Sequence, residues 1–278
     1  MGAQARGQPQ EQKATEAPTR LDNLYLFDQQ CFIYTAVTPP PQMITPFSGN
    51  LVLSACGKPF RVDLGGESVW SRGIALPPLL ARRVLANQAE LVGFYVQPES
   101  RLYPFFAQLR AARRYQLVDY SSCLALRDDL TRLYQGHAGR EEALRAYDWL
   151  CSFTTPEDKP GDMPDPARIA LEKLLLRLGQ CPETSLAELA EEQGRSYAWM
   201  SRMFAQRVGL SLREYKTWLK LRRAMEMLHS GLSLTEVAFQ AGFADSAHLS
   251  REYRRAYGVP PSSSRKRKNL QFFHLQDD

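Results

Sequence analysis

The sequence predicts an α+β chain in two parts: a small β unit with accompanying helices in the N-terminal half, and an all-helical C-terminal domain built from two copies of one unit around a longer helix. Three observations carry this. Residues 23–97 alternate short apolar runs with turn residues, residues 154–166 hold four prolines, and a pattern that starts at Ser185 recurs 48 residues later. At 278 residues the chain has the length of about two domains. Its 44% hydrophobic and 23% charged content is that of an ordinary globular protein, and no apolar run approaches the ~18 residues of a membrane span, so no membrane association is expected.

Residues 1–22 are rich in Gln, Glu, Ala and Pro and lack the apolar segment of a secretory signal, so they read as a disordered tail of a cytoplasmic protein. The β unit follows in a domain predicted over 23–155. Its strand candidates are Cys31–Tyr34, Leu51–Leu53, Phe60–Val62, Ser68–Trp70 and Leu91–Val96, separated by Pro39-Pro40-Pro41, Gly57-Lys58-Pro59 and Gly65-Gly66. Short runs between such breakers predict antiparallel strands in a small barrel or sandwich. From Ser100 to Phe153 the apolar spacing turns helical, with Leu124, Leu126, Leu130, Leu133, Leu144 and Leu150 among charged residues. A helix pair of this kind could form a dimer interface or pack on the β unit. The proline-rich stretch fits neither helix nor central strand, which makes 156–166 the linker.

The domain predicted over 167–265 rests on the repeat. Ser185-Leu186-Ala187-Glu188-Leu189-Ala190 recurs as Ser233-Leu234-Thr235-Glu236-Val237-Ala238, each opening with a Ser-x-x-Glu capping box. Gly194 and Gly242 hold the same offset, where a helix must stop in a tight turn. With one residue inserted the match continues: Ser196 with Asp245 as caps, Ser201-Arg202 with Ser250-Arg251, and Gly209 with Gly258. The unit is helix, glycine turn, helix, twice. In a helix-turn-helix the second helix lies in the DNA major groove with its first turns against base edges. If Met200, Met203 and Phe204, and in the second copy Leu249, Tyr253 and Tyr257, face inward, then Tyr197, Ala198, Ser201 and Arg202, and Ser246, Ala247, Ser250 and Arg251, face outward. With the caps Ser196 and Asp245 and the nearby Arg254, these are the candidate DNA-binding residues. Arg202 and Arg251 could fork onto guanine, clamp phosphate, or be ordinary surface arginines.

Between the copies, Leu212–His229 carries Trp218, Leu221, Met225 and Leu228 on one helical stripe, a rigid spacer for two readers that must sit ~34 Å apart to enter successive major grooves. Charge agrees with a polyanionic partner. Residues 165–270 hold 18 Lys and Arg against 11 Asp and Glu, a surplus of seven in a chain of net charge +5. Arg265-Lys266-Arg267-Lys268, running into a tail predicted over 266–278, could touch phosphate or remain solvated.

Residues 168–265 resemble the DNA-binding domain of AraC/XylS-type transcription regulators. The resemblance is densest in Ser233–Ala238, Gly242-Phe243, Asp245-Ser246-Ala247-His248, Tyr253-Arg254-Arg255-Ala256-Tyr257 and Gly258-Val259-Pro260-Pro261. Leu249 and Tyr253 stand where the family has Phe, Lys220 where it has Arg, and Ser264 where it has an aromatic. The resemblance implies a seven-helix domain, a double-stranded DNA site of two half-sites, and activation through RNA polymerase. It also implies a cupin-like N-terminal domain for homodimerisation and for a small-molecule effector or regulatory protein. An effector pocket lined by Tyr34, Trp70, Phe94 and Tyr95 is the candidate, although aromatic residues on strands are more often plain core.

None of the four histidines, His137, His229, His248 and His274, falls in the β unit, so no metal or other cofactor is expected. The five cysteines lie at least 25 residues apart, which excludes the clustered zinc site of cysteine-based alkyl repair and leaves buried or half-buried thiols, with a redox sensor as the alternative. No Gly-x-Ser-x-Gly, Walker, dinucleotide or His-Glu-x-x-His motif occurs, so no catalytic residue and no enzyme is expected. Activation against repression, and a ligand-binding against a purely interacting N-terminal domain, stay open at this level.

Overall fold

The computed structural model describes residues 23–27, 31–36, 39–155, 166–181, 184–265 and 270–273. The expectations for residues 1–22 and for most of the linker fall outside these. The N-terminal strands are β1 (Leu24–Phe27), β2 (Cys31–Ala36), β3 (Gly49–Ser54), β4 (Phe60–Asp63), β5 (Ser68–Ser71), β6 (Gly73–Leu76), β7 (Arg83–Leu85), β8 (Leu91–Val96) and the two-residue β9 (Gln116–Leu117). Helix α1 (Tyr103–Ala111) precedes β9. A 3-10 segment over Tyr120–Leu126 leads into α2 (Arg127–Gln135) and α3 (Arg140–Thr154).

Two sheets result. The larger, with a last strand β10 (Leu270–Phe273), has the order β10-β1-β2-β8-β3-β6-β9, and the smaller β5-β4-β7. They form two layers and do not close into a barrel, an arrangement compatible with the cupin-like expectation. The larger sheet is covered on both faces, which explains why its central strands read as unbroken apolar runs. Side chains alternate between the faces. Leu51, Leu53, Val92, Phe94 and Val96 pack under α1, α2 and α3, whereas Val52, Ile74, Leu76 and Leu91 meet Phe60 and Val62 of the smaller sheet. The α2–α3 leucines settle on the sheet: Leu130, Leu133 and Leu150 are fully buried, while Leu124 points to solvent.

The C-terminal part holds α4 (Pro166–Gln180), α5 (Leu186–Glu192), α6 (Tyr197–Val208), α7 (Leu212–Met227), α8 (Leu234–Gln240), α9 (Ser246–Tyr257) and the one-turn α10 (Pro261–Arg265). Among the described residues of this part seven helices stand, the number the resemblance implied. Helix α4 opens at Pro166, whose fixed φ suits a first helical turn. Within the stretch expected as a tail, residues 270–273 pair in parallel with β1 in the register Leu24 with Leu270 to Phe27 with Phe273. One hydrophobic core runs from Phe94 and Phe106 of the N-terminal half into Phe204, Tyr215 and Trp218 of the C-terminal half. Among the described residues no helix is long and apolar enough to cross a membrane. Of the five free thiols, Cys31 and Cys123 are buried and Cys56 and Cys151 half-buried, but Cys181 is exposed, contrary to expectation.

Candidate nucleic-acid interface

Both copies of the repeat are built by the same local rules. Ser185 Oγ accepts from the Glu188 amide at 3.1 Å while Glu188 returns a bond to the Ser185 amide at 2.7 Å; Ser233 and Glu236 repeat this at 3.2 and 2.8 Å. The turn glycines take left-handed backbone, with φ of 60° at Gly194 and 86° at Gly242. Ser196 then caps α6 by accepting from the Trp199 amide at 3.2 Å, and Asp245 caps α9 by accepting from the His248 amide at 2.6 Å. These two candidate residues thus have a structural duty first: they fix where each recognition helix begins.

Burial orients the helices as the spacing required. Met200, Met203 and Phe204 are buried in α6, and Leu249 and Tyr253 in α9; Tyr257 is half-buried, its ring centroid 4.6 Å from that of Tyr253. Outward on α6 lie Tyr197, Ala198 and Arg202, with Ser201 half-buried; on α9 lie Ala247, Arg251 and Arg254, with Ser246 and Ser250 half-buried. Tyr197, an aromatic residue, is 60% exposed on this face. Arg202, Arg251 and Arg254 form no side-chain hydrogen bond or ion pair with another described residue. Their guanidinium groups therefore remain available for bidentate contacts to guanine or phosphate.

The other basic residues contrast with these. Arg255 is held by Glu252 at 2.7 Å, and Arg222 by Glu99. Arg265 donates to the Leu228 carbonyl at 3.0 Å and the Leu232 carbonyl at 2.7 Å, satisfying the end of α7 rather than facing solvent. The phosphate contact considered for it is therefore replaced by a cap, and Lys266–Lys268 fall outside the described residues. Sequence reasoning missed Arg195, whose guanidinium lies 4.9 Å from the Trp199 ring centroid beside the start of α6. The four-residue spacing of an arginine and a tryptophan across a helix start is the signal that could have found it.

The suggested effector residues are not brought together. Tyr34 and Tyr95 line a cavity of about 40 Å³ between the sheets, with Pro40, Gln42, Ile44 and Arg83. Phe94, one residue from Tyr95 on the same strand, faces the opposite side and is buried under the helices. Trp70 lies on the outer face of β5, 57% exposed, while its neighbour Val69 packs inward. A cavity of this size has room for a few waters at ~10–15 Å³ each.

A family model described as a helix-turn-helix domain matches residues 189–267. Over 120 residues the chain is 32% identical to the uncharacterized HTH-type transcriptional regulator YidL of Escherichia coli K12, covering 42% of this chain and 39% of that protein. It is also 33% identical over 85 residues to the HTH-type transcriptional activator RhaS of Escherichia coli SE11, covering 30% and 31%. The C-terminal part is thus similar to the helix-turn-helix domains of these regulators. The matched stretches span less than half the length of these relatives. For the whole architecture the structure of ToxT from Vibrio cholerae matches with a TM-score of 0.50 at 11% identity, over 85% of this chain and 97% of that one. At that identity the likeness is one of fold, and it extends through the N-terminal β-rich part as well as the helical C-terminal part.

Proposed function

We propose that the protein is a sequence-specific transcription regulator, an activator, whose AraC-type domain reads two adjacent half-sites in successive major grooves of double-stranded DNA through α6 and α9. The observation that carries this reading is the duplication: two capped helices present matching outward faces, and each ends its exposed patch in an arginine with no side-chain partner among the described residues. Between them α7, at 16 residues, is about 24 Å long, enough to hold two readers apart. The surplus of positive charge in this domain would steer it to DNA. Ser196, Tyr197, Ala198, Ser201 and Arg202, with Asp245, Ser246, Ala247, Ser250, Arg251 and Arg254, form the reading surface of this proposal.

The N-terminal domain takes the regulatory role in this reading: homodimerisation, and response to a small-molecule effector or a regulatory protein, with RNA polymerase as the downstream partner in the cytoplasm. Tyr34 and Tyr95 on the cavity wall are the effector candidates that survive; Phe94 and Trp70 face elsewhere.

The test is selection of bound fragments from random duplex DNA by the full chain, followed by an affinity titration against salt. Two short conserved blocks separated by about one helical turn, with affinity falling steeply as salt rises, support the double reader. Salt-sensitive binding with no recovered sequence would reduce the protein to a non-specific DNA-associated one.

A further inference from the structure

The contacts between the two halves fall at equivalent points of the repeat. Helix α6 ends at Gly209, with φ of 68°, and a Cβ there would lie 2.6 Å from the Ala107 Cβ of α1. Arg110 of α1 donates to the Gly209 carbonyl and pairs with Glu214 of α7 at 3.2 Å. Next to Glu214 on α7, the Tyr215 hydroxyl donates to Glu99 at 2.9 Å; one turn on, the Trp218 indole donates to Gln97 at 2.8 Å, and a further turn on Arg222 pairs with the same Glu99. Helix α9 ends at Gly258, with φ of 75°, and a Cβ there would lie 2.4 Å from the Pro40 Cβ. Gln42 donates to the Gly258 carbonyl, the Thr45 amide to the Arg255 carbonyl at 2.7 Å, and the Arg255 guanidinium lies 5.2 Å from the Phe47 ring centroid.

Each recognition helix is therefore seated on the N-terminal half by its C-terminal end, and each keeps its DNA-facing end free. A left-handed glycine would suffice to end either helix alone. The close approach of Ala107 and Pro40 is a second, independent reason for the absence of a side chain at both places. Because the two seats belong to one packed body, they fix the separation and tilt of the two readers, whereas α7 by itself ties them only through the middle of the domain.

We propose that the N-terminal half acts as a ruler that sets half-site spacing, with Gln97, Glu99 and Arg110 as positioning residues for α6 and α7, and Gln42 and Thr45 for α9. This rests on the double-reader proposal above. DNA specificity then has two components: base identity, read by the outward faces, and spacing, held from behind. Pro40, Gln42 and Ile44 also line the cavity between the sheets, so an occupant there would act on the α9 seat.

The test uses the full chain and random duplex DNA. Wild type is expected to recover two blocks at a single separation and to bind a site with one inserted base pair at least tenfold more weakly. Gln97→Ala/Glu99→Ala and, separately, Gln42→Ala are expected to recover the same blocks with separations spread over at least one base pair, and to lose most of that tenfold discrimination. Gln42 is exposed, so its truncation leaves the fold intact and keeps the test valid should the double variant fail to fold. Unchanged blocks with unchanged spacing in the Gln42 variant, and in the folded double variant, would overturn the ruler while leaving the double reader standing. Recovery of no paired blocks by wild type would overturn both.

Discussion

The two readers are built alike in front and differently behind. The first, α6, is seated on a helix: Ala107 and Arg110 of α1 meet its end, and Glu99 and Gln97 hold the helix that follows it. The second, α9, is seated on the segment 40–47, through Gln42, Thr45 and the Phe47 ring. In the proposed double reader, one seat is therefore a regular helix and the other a segment outside any named strand or helix. Duplication of a DNA-reading unit thus leaves room for two degrees of constraint.

The largest expected effect breaks the firm seat. Gly209→Val combines a left-handed backbone with a side chain driven into Ala107, and should cost about 3 kcal/mol from strain and overpacking together. At Gly242 the nearest neighbour of a new side chain is the flexible Lys220 at 3.3 Å, so Gly242→Val should cost about 1–2 kcal/mol from backbone strain alone. Urea denaturation of both variants checks the ranking; equal losses would mean that α1 gives way as readily as a lysine side chain does.

The next effect sharpens the likeness of the two front faces. Arg202→Ala and Arg251→Ala should each cost about 1–3 kcal/mol of specific DNA binding with an unchanged urea midpoint, because neither side chain has a partner to lose among the described residues. Operator affinity unchanged in both would remove α6 and α9 as readers. Arg265→Ala should behave in the opposite manner: the Leu228 and Leu232 carbonyls lose a charged donor, stability falls by about 1–2 kcal/mol, and the salt dependence of DNA binding stays as it was. A shallower salt dependence would return Arg265 to the phosphate-contacting role.

The smallest effect is one of pH at the firm seat. Burial alone would raise the Glu214 carboxyl, but the bonds from the Ser211 amide and Arg110 outweigh it and hold Glu214 below the usual carboxylate range. A carboxylate depressed in the folded state lends stability that is present above its unfolded value and lost as pH falls through the folded one. The stability difference between wild type and Glu214→Gln should therefore persist at neutral pH and shrink only on the acid side. A difference that is constant with pH would show that Glu214 acts through packing.

The same contrast between local and distant causes explains what could be read from the sequence. Caps, turn glycines and the buried stripe of each reader depend on residues within a few positions, so Ser185, Gly194, Ser196 and their counterparts were legible with their conformations. The strands β2, β3, β4, β5 and β8 were legible as apolar runs, but β7, Arg83–Leu85, carries no apolar alternation and is a strand because β4 lies beside it. Phe94 and Tyr95 show the limit in one dipeptide. Strand periodicity already required them to face opposite ways, but a run apolar on both sides conceals which face is which until both layers are known. Glu99, Gln97 and Gln42 carried no local signal, since their partners lie more than a hundred residues away in the chain.

The pairing of β10 with β1 has a consequence for biosynthesis. Residues 24–27 cannot acquire this partner until residues 270–273 have been made, after both readers between them have left the ribosome. Throughout synthesis the β1 edge stands open, a template on which another strand could align. Closure of the β1 edge therefore waits for a segment that follows α4–α10 in the chain.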